Sequence, residues 1–161
     1  MEPMNTHHDT IKQLLESLVA AIPFQIESTH FEFNAEDGSY WFTLKTNEPH
    51  AIIGKDGEVL HALTTLARRI IEEEKSIEEP RPQIVIEVND YQRKKIENLK
   101  TIAHMMSERA KYFKSSISID PMNAYERKII HSFLQDRPDI KTESEGIGRS
   151  RHVVIKYIGE I

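Results

Sequence analysis

The stretch Ile52-Ile53-Gly54-Lys55-Asp56-Gly57-Glu58-Val59-Leu60 decides how the first half of this chain folds. Two isoleucines precede a loop with glycine at both ends, and an apolar pattern with helical spacing starts directly after it. Glycine tolerates positive φ and close backbone approach, and the next helix offers unpaired N–H groups at its start. The stretch predicts either a phosphate-binding loop, with Lys55 as an added charge, or a plain helix cap followed by a turn.

The residues around this loop predict the order helix, strand, strand, helix, helix, strand. Apolar spacing marks a first helix over 6–21, a β-hairpin over 31–44 and a long helix over 59–75. A connector over 78–82 and a strand over 84–88 follow. We expect Ile52 and Ile53 to line a groove on which unstacked bases could rest. The predicted buried stripe of the long helix consists of Val59, Leu60, Leu63, Leu66, Ala67, Ile70 and Ile71.

The second half predicts the order helix, strand, helix, strand, strand. Asn89-Asp90 is read as a cap for the first of these helices, and Asp120-Pro121 as the start of the second. The strands fall over 116–119, 140–145 and 151–158. The fold class is therefore α+β, with two small domains over 6–89 and 90–161. The predicted apolar face of the first helix consists of Ile96, Leu99, Ile102, Ala103, Met106, Ala110 and Phe113.

The net charge of −5 hides an uneven distribution along the chain. Residues 1–90 carry 7 basic and 17 acidic side chains, a net of −10, whereas residues 91–161 carry 14 and 9, a net of +5. An attraction to phosphate is therefore expected in the second half. The first half, where Asp56 and Glu58 flank the glycine loop, must bind by geometry if it binds a nucleic acid at all.

Arg127 and His131 stand four positions apart, so they lie one above the other on one helix face. The apolar arc of this helix is expected to hold Tyr125, Ile129, Ile130, Phe133 and Leu134, with the pair exposed just past its edge. Both can donate hydrogen bonds to one phosphate, although such a pair is also typical of a solvated helix face. Glu126 falls inside the apolar arc, and its place in the first turn suggests contact with the helix N-terminus.

The order of elements and the stretch from Ile52 to Leu60 resemble the prokaryotic type of KH domain, whose Gly-x-x-Gly loop clamps four nucleotides. This resemblance implies contacts with nucleic acid from Ile53, Gly54, Lys55, Asp56 and Gly57. In the second half, the runs 123–131, 142–146 and 149–155 resemble the domain named for its Arg-x-x-x-His motif, which binds single-stranded nucleic acid. It implies such contacts from Arg127, Lys128, His131, Arg149 and Arg151.

The tandem of these two domains, over 6–157, resembles the Jag family of SpoIIIJ-associated proteins, which are bacterial RNA-binding regulators linked to cell elongation and division. Three departures stand out. The chain starts almost directly at the first KH helix, without the usual extra N-terminal domain. Its loop holds Lys55 and Asp56 where the family is doubly basic. The later loop adds a glycine and a charge at Gly148-Arg149, which should strengthen phosphate contact.

No enzymatic or metal site is predicted. The chain has no cysteine, only His7-His8 are adjacent among eight histidines, and no His-Glu-x-x-His, phosphate-loop or nucleophile-elbow pattern occurs. No apolar run could span a membrane and no secretory signal is visible, so we expect a cytoplasmic protein without cofactors. The leading hypothesis is a regulator that binds single-stranded RNA, with single-stranded DNA as an alternative ligand. The second is an assembly module in which the KH domain forms a homodimer or pairs with a small KH protein.

Overall fold

The computed structural model describes residues 5–77 and 81–159, and it divides the chain into two compact units. The N-terminal unit is Met1–Gln92, and the C-terminal unit is Arg93–Ile161. The fold is of the α+β class, as predicted. Within the connector predicted over 78–82, residues 78–80 lie outside the described part of the chain.

The N-terminal unit follows the predicted order of elements. It consists of helix α1 (Asn5–Ala20), strands β1 (Ser28–Asn34) and β2 (Ser39–Lys45), helices α2 (Pro49–Ile53) and α3 (Glu58–Glu73), and strand β3 (Gln83–Val88). A single 3₁₀ turn, Lys55–Gly57, separates α2 from α3. The sheet order is β1-β2-β3, with β1 antiparallel and β3 parallel to β2. Its core joins the helices to one face of this sheet through Ile11, Leu15, Phe42, Leu44, Ile52, Leu60, Ile71, Ile84 and Ile86.

The C-terminal unit also has the predicted order. Helix α4 (Tyr91–Phe113), which starts two residues before the division, is followed by β4 (Ile117–Ser118), α5 (Ala124–Leu134), β5 (Ile140–Glu145) and β6 (His152–Tyr157). The three strands form an antiparallel sheet in the order β4-β6-β5. Apolar residues of both helices pack on this sheet, and the fully or nearly fully buried ones are Ala103, Ala110, Ile119, Ile130, Leu134, Ile140, Val153 and Ile155.

Several predicted buried positions are wrong, because the buried arc of each helix is narrower than the apolar pattern drawn from the sequence. On α3, Val59 and Leu66 are exposed, and the buried position between Leu60 and Ala67 goes to Thr64. The hydroxyl of Thr64 donates a hydrogen bond to the carbonyl of Leu60 at 2.8 Å, so its burial leaves no polar group unsatisfied. In the C-terminal unit the exposed exceptions are Ile102, Phe113 and Phe133.

Both predicted helix starts in the second half need correction. Asn89 and Asp90 adopt φ of 47° and 67°, whereas a capping residue usually has extended backbone. The Asn89 side chain instead exchanges two hydrogen bonds with the backbone of Thr46, at 3.1 and 2.8 Å, while Glu87 accepts the Gln92 N–H. Helix α5 begins at Ala124, after the cap residue Asn123, and so later than Asp120-Pro121 suggested.

Among the described helices, none combines the length and the apolar composition that crossing a bilayer requires.

Candidate nucleic-acid interface

The glycine loop at 54–57 has a backbone that other residues could not easily adopt. Gly54 has φ 75° and ψ −178°, and its N–H is accepted by the carbonyl of His50, which ends α2. A Cβ at this position would lie 2.4 Å from Cγ2 of Val59 and 2.9 Å from the Val59 nitrogen. Gly57 has φ 83°, and a Cβ there would meet the Tyr91 hydroxyl at 2.8 Å. The two glycines are therefore required by the tight passage from α2 to α3.

The residues between the two glycines point outward, with opposite charges. Lys55 and Asp56 are exposed, and Asp56 has φ 53°, a left-handed conformation that aspartate tolerates better than most residues. The expectation that Ile52 and Ile53 line a groove is wrong for Ile52, which is fully buried in the core. Ile53 is half-buried at the core's edge, so it alone of the two can face a ligand.

Helix α5 is fixed at its start by a capping box. The Glu126 N–H donates to the Asn123 side-chain oxygen at 3.0 Å, and the Asn123 N–H donates to a Glu126 carboxylate oxygen at 2.9 Å. The other carboxylate oxygen of Glu126 lies 2.6 Å from the Lys95 ammonium of α4. This explains why Glu126 occupies the apolar arc: its buried carboxylate accepts a helix-end N–H and pairs with a lysine, as its first-turn position suggested.

Replacing Asn123 with alanine is expected to destabilise the C-terminal unit by about 1 kcal/mol, because one helix-end N–H loses its acceptor. Urea unfolding followed by far-ultraviolet circular dichroism measures the loss. Asn98→Ala, at an exposed position in α4, is the matched control and should be near neutral. Equal effects of the two substitutions would mean that the capping box contributes nothing.

Arg127 lies beside the loop that carries Arg151. Its Nη1 donates to the Met122 carbonyl at 2.8 Å, and the Met122 N–H donates to the Arg151 carbonyl at 3.1 Å. The segment before α5 therefore ties the base of Arg127 to the start of β6. Arg127 was expected to be exposed, but it is half-buried because this hydrogen bond draws it against the loop. The bond uses one of its five N–H groups and leaves the others for a ligand.

His131 is held between two hydroxyl groups of β5. Its Nδ1 lies 2.6 Å from the Thr142 hydroxyl oxygen, and its Nε2 lies 2.9 Å from the Ser144 hydroxyl oxygen. Burial and then the nearby Arg127 charge lower the pKa of His131 below 6.5, so its ring is neutral at pH 7. A neutral ring with two hydroxyl neighbours positions hydrogen bonds and adds no charge. His131 is thus half-buried rather than exposed as expected.

The lowered pKa of His131 makes stability depend on pH. The unfolded chain, with a histidine pKa near 6.5, takes up a proton that the folded ring resists. Stability from this group is therefore present above about pH 6.5 and is lost as the pH falls through its folded pKa. We expect His131→Gln to flatten the decline in urea stability between neutral and mildly acidic pH. An unchanged decline would show that other groups cause it.

A cavity of about 530 Å³ lies between α5 and β5. Arg127, Lys128, His131 and Lys141 line it together with the Thr142 and Ser144 hydroxyls. Lys128 was predicted from the sequence, whereas Lys141, Thr142 and Ser144 were missed as site residues. The alternation of β5 was the available signal, since Thr142 and Ser144 share a strand face with buried Ile140. This cavity offers cations and hydroxyl donors, which is the chemistry that an oxyanion needs.

The arginines of the β5–β6 loop are exposed on a tightly built turn. Gly146 has φ 88°, and a Cβ there would lie 2.7 Å from the Ser150 carbonyl oxygen. The Ser150 hydroxyl closes the turn by donating to the Ile147 carbonyl at 2.8 Å. Within residues 5–77 and 81–159, no carboxylate pairs with Arg149 or Arg151. Their guanidinium groups are therefore available to an anion.

The outward face of β5 and β6 is occupied by ion pairs and contrasts with this site. Glu143 pairs with Lys156 and Lys141, and hydrogen bonds from these two lysines lower its pKa to about 2. Lys156 also contacts Glu145 at 3.1 Å. Cations on this face are neutralised internally, so attraction to anions is concentrated where Arg127, Arg149 and Arg151 lie.

An α+β unit in which an arginine and a histidine, one helical turn apart, face a β-hairpin with further arginines is the arrangement of an Arg-x-x-x-His domain. Residues 97–157 match the family model of that domain. The chain is similar to several curated relatives, each named RNA-binding protein KhpB. It is 29% identical to the Clostridium symbiosum protein over 93% of this chain and 66% of that one.

Two further relatives agree. Identity is 37% to the Streptococcus pneumoniae protein, over 70% of this chain and 33% of the relative. Identity is 33% to the Bacillus subtilis protein, over 66% of this chain and 50% of the relative. The chain belongs to the Jag (KhpB) family, as its motifs predicted. It spans between about one third and two thirds of the length of these relatives.

Proposed function

We propose that this protein binds single-stranded RNA, without catalysing a reaction, through Arg127, Lys128, His131, Arg149 and Arg151. The observation that carries the proposal is the hydrogen-bonded link from Arg127 through the Met122 backbone to Arg151, which brings two separate segments of the sequence together. The relatives' common name, RNA-binding protein KhpB, supports RNA as the ligand. The net charge of +5 over residues 91–161 supports an electrostatic anchor in this half.

The binding mode follows from the chemistry of these side chains. The arginines offer planar forks of donors that suit phosphate oxygens, while the neutral His131 adds one directed N–H. Contacts of this kind fix the backbone of a strand but do not identify its bases. We therefore propose a protein with weak sequence preference at this site. Single-stranded DNA is the alternative ligand, because it carries the same phosphates.

We further propose that residues 6–89 form a KH domain of the prokaryotic type and that residues 90–161 form the Arg-x-x-x-His domain. The support for KH is the order of elements and the Gly54–Gly57 loop, whose two glycines have positive φ. In this proposal Ile53, Gly54, Lys55, Asp56 and Gly57 form an auxiliary clamp, weakened by the Asp56 carboxylate. The acidic charge of this half, −10 over residues 1–90, makes it the weaker partner for RNA.

The cellular setting that fits this activity is regulation in the bacterial cytoplasm, in processes of cell elongation and division. Pairing of the KH domain with itself or with a small KH protein belongs to the same proposal as a secondary property. The relatives' names do not favour an assembly module without RNA binding. Light scattering that shows only a monomer, alone and with a candidate partner, would remove the pairing from the proposal.

RNA binding is tested by the anisotropy of a fluorescein-labelled unstructured oligonucleotide at several salt concentrations. If about four cations contact phosphates, log affinity should fall against log salt with a slope of roughly −3. The same sequence in a duplex is the control, and it should bind more weakly. A flat salt dependence, or equal affinity for the duplex, would contradict the proposal.

A further inference from the structure

The C-terminal end of α4 carries two adjacent aromatic rings that are open to solvent. Tyr112 is 82% exposed and Phe113 is 61% exposed, more than any other aromatic residue in the described part of the C-terminal unit. Ile102 and Met105 extend this surface along the same face of the helix. We call these four residues the α4 aromatic patch. Contiguous exposed apolar surface of this kind marks an interaction site more often than scattered single residues do.

The backbone beneath the two rings is fixed. The Lys114 N–H donates to the Lys111 carbonyl at 3.2 Å, and the Ser115 N–H donates to the Ala110 carbonyl at 3.1 Å. Lys114 itself has φ 48°, so these bonds form the Schellman arrangement that closes a helix at its C-terminal end. The rings contact each other edge to face, with centroids 5.0 Å apart and planes at 89°. Both rings are therefore held in place before any ligand arrives.

The surroundings of the patch are cationic. Residues 109–119 contain Arg109, Lys111 and Lys114 and no acidic side chain. Lys111 lies 2.9 Å from the Asp139 carboxylate, but Arg109 and Lys114 have no carboxylate partner among the described residues. The nearby Glu108 is paired with Arg137 at 2.9 Å. The local charge thus complements a polyanion.

We propose that the α4 aromatic patch stacks unpaired bases of single-stranded RNA, while Arg109 and Lys114 bind the adjoining phosphates. The inference rests on the proposed function, because it assigns the bases of the same kind of ligand. Proteins that bind single strands combine basic surface with aromatic rings, since every base has a π-face. The cavity beside His131 has no aromatic residue in its lining, so that site supplies phosphate contacts and not stacking.

The geometry of the rings also selects the form of the RNA. A shallow depression of about 540 Å³ is lined by Glu108, Arg109, Lys111, Tyr112 and Phe113, a size typical of small-molecule sites. Because the two ring planes are perpendicular, bases stacked on both rings would themselves lie at a right angle. Consecutive bases in a duplex are parallel and paired, so only splayed bases of a single strand can use both rings.

A second copy of this chain is a poorer occupant of the patch. Symmetric pairing through the patch would bring Arg109 and Lys114 of one chain against the same residues of its partner, and such like charges repel. A strand of RNA supplies both the apolar base faces and the negative charge that the patch needs. Self-association is therefore an outcome for the test to detect, and RNA is the occupant that the charges favour.

The test compares the affinity of variants of the whole chain for a short fluorescein-labelled oligoadenylate and for an abasic ribose-phosphate strand of equal length. Tyr112→Ser with Phe113→Ser should lower affinity for oligoadenylate by about tenfold or more and leave abasic affinity unchanged. Tyr112→Trp should retain affinity, whereas Tyr112→Leu, which keeps apolar surface without a π-face, should lose it. Ile158→Ser, at another exposed apolar position, is the matched control and should have no effect.

Three outcomes would overturn the proposal. Unchanged oligoadenylate affinity in the double variant, next to a wild type that binds with steep salt dependence, would overturn it alone. A double variant that keeps RNA affinity but loses self-association in light scattering would assign the patch to a protein partner. A wild type that binds neither strand would overturn this inference and the proposed function together. Circular dichroism of each variant excludes loss of folding as the cause.

Discussion

Replacing Arg127 and Arg151 together by alanine is expected to lower the affinity for unstructured RNA by about 100-fold or more. A hydrogen bond to a charged group contributes about 1.5–3 kcal/mol, so two arginine contacts account for about 3–6 kcal/mol. Each 1.4 kcal/mol corresponds to a factor of about ten. The effect should exceed that of other cation pairs because the Met122 backbone holds the two arginines at one site. Anisotropy at fixed low salt measures the change.

The control for this prediction removes the same charge elsewhere. Lys12→Ala with Arg69→Ala takes two cations from exposed helix positions, each of which pairs with a glutamate on its own helix. A loss of affinity as large as that of Arg127→Ala with Arg151→Ala would mean that net charge, and not this site, binds the RNA. Arg151→Lys separates charge from geometry, since lysine keeps the charge but lacks the planar fork. It should give an intermediate affinity.

Gly54→Ala is expected to destabilise the N-terminal unit by about 3 kcal/mol or more. The backbone at φ 75° and ψ −178° belongs to a region that is essentially restricted to glycine, and such strain costs about 1–3 kcal/mol. The new Cβ would also lie 2.4 Å from Cγ2 of Val59 and 2.9 Å from its backbone nitrogen. A side-chain rotation can relieve the first contact but not the second. The penalty therefore combines strain with displacement of α3.

Gly38→Ala is the matched control for this substitution. Gly38 has φ 71°, close to that of Gly54, but a Cβ there would meet no atom within 4 Å. It should cost about 1–2 kcal/mol, the penalty of left-handed backbone alone. Trp41, the only tryptophan of the chain, is buried in the N-terminal unit, so its fluorescence during urea unfolding reports on this unit. A Gly54→Ala variant no less stable than Gly38→Ala would show that the contact with Val59 is relieved without cost.

The order of elements could be predicted because it depends on local periodicity and on glycine positions. Which apolar residue is buried depends on the angular width that the sheet covers, and this does not appear in a helix's own sequence. Leu66 and Phe113 satisfy the helical pattern yet are 50% and 61% exposed. Thr64 takes a buried place because its hydroxyl can bond to the preceding turn.

The site was predicted in part for the same reason. Arg127 and His131 follow from a spacing of four on one helix, whereas Thr142 and Ser144 approach His131 through the packing of β5 against α5. Local sequence also could not show whether Asn89 caps a helix or bonds to Thr46, 43 residues earlier. The carboxylate of Glu126 was anticipated at a helix end, but its contact with Lys95 required the tertiary structure.

The left-handed conformation of Asp56 limits how the glycine loop can be altered by protein engineering. Lysine at this position would restore two adjacent cations, but a long side chain is disfavoured at φ 53°. Asparagine and glycine adopt this conformation readily, and either removes the negative charge. Neutralising the loop is therefore open to a single substitution, whereas making it doubly basic would require the backbone itself to be rebuilt.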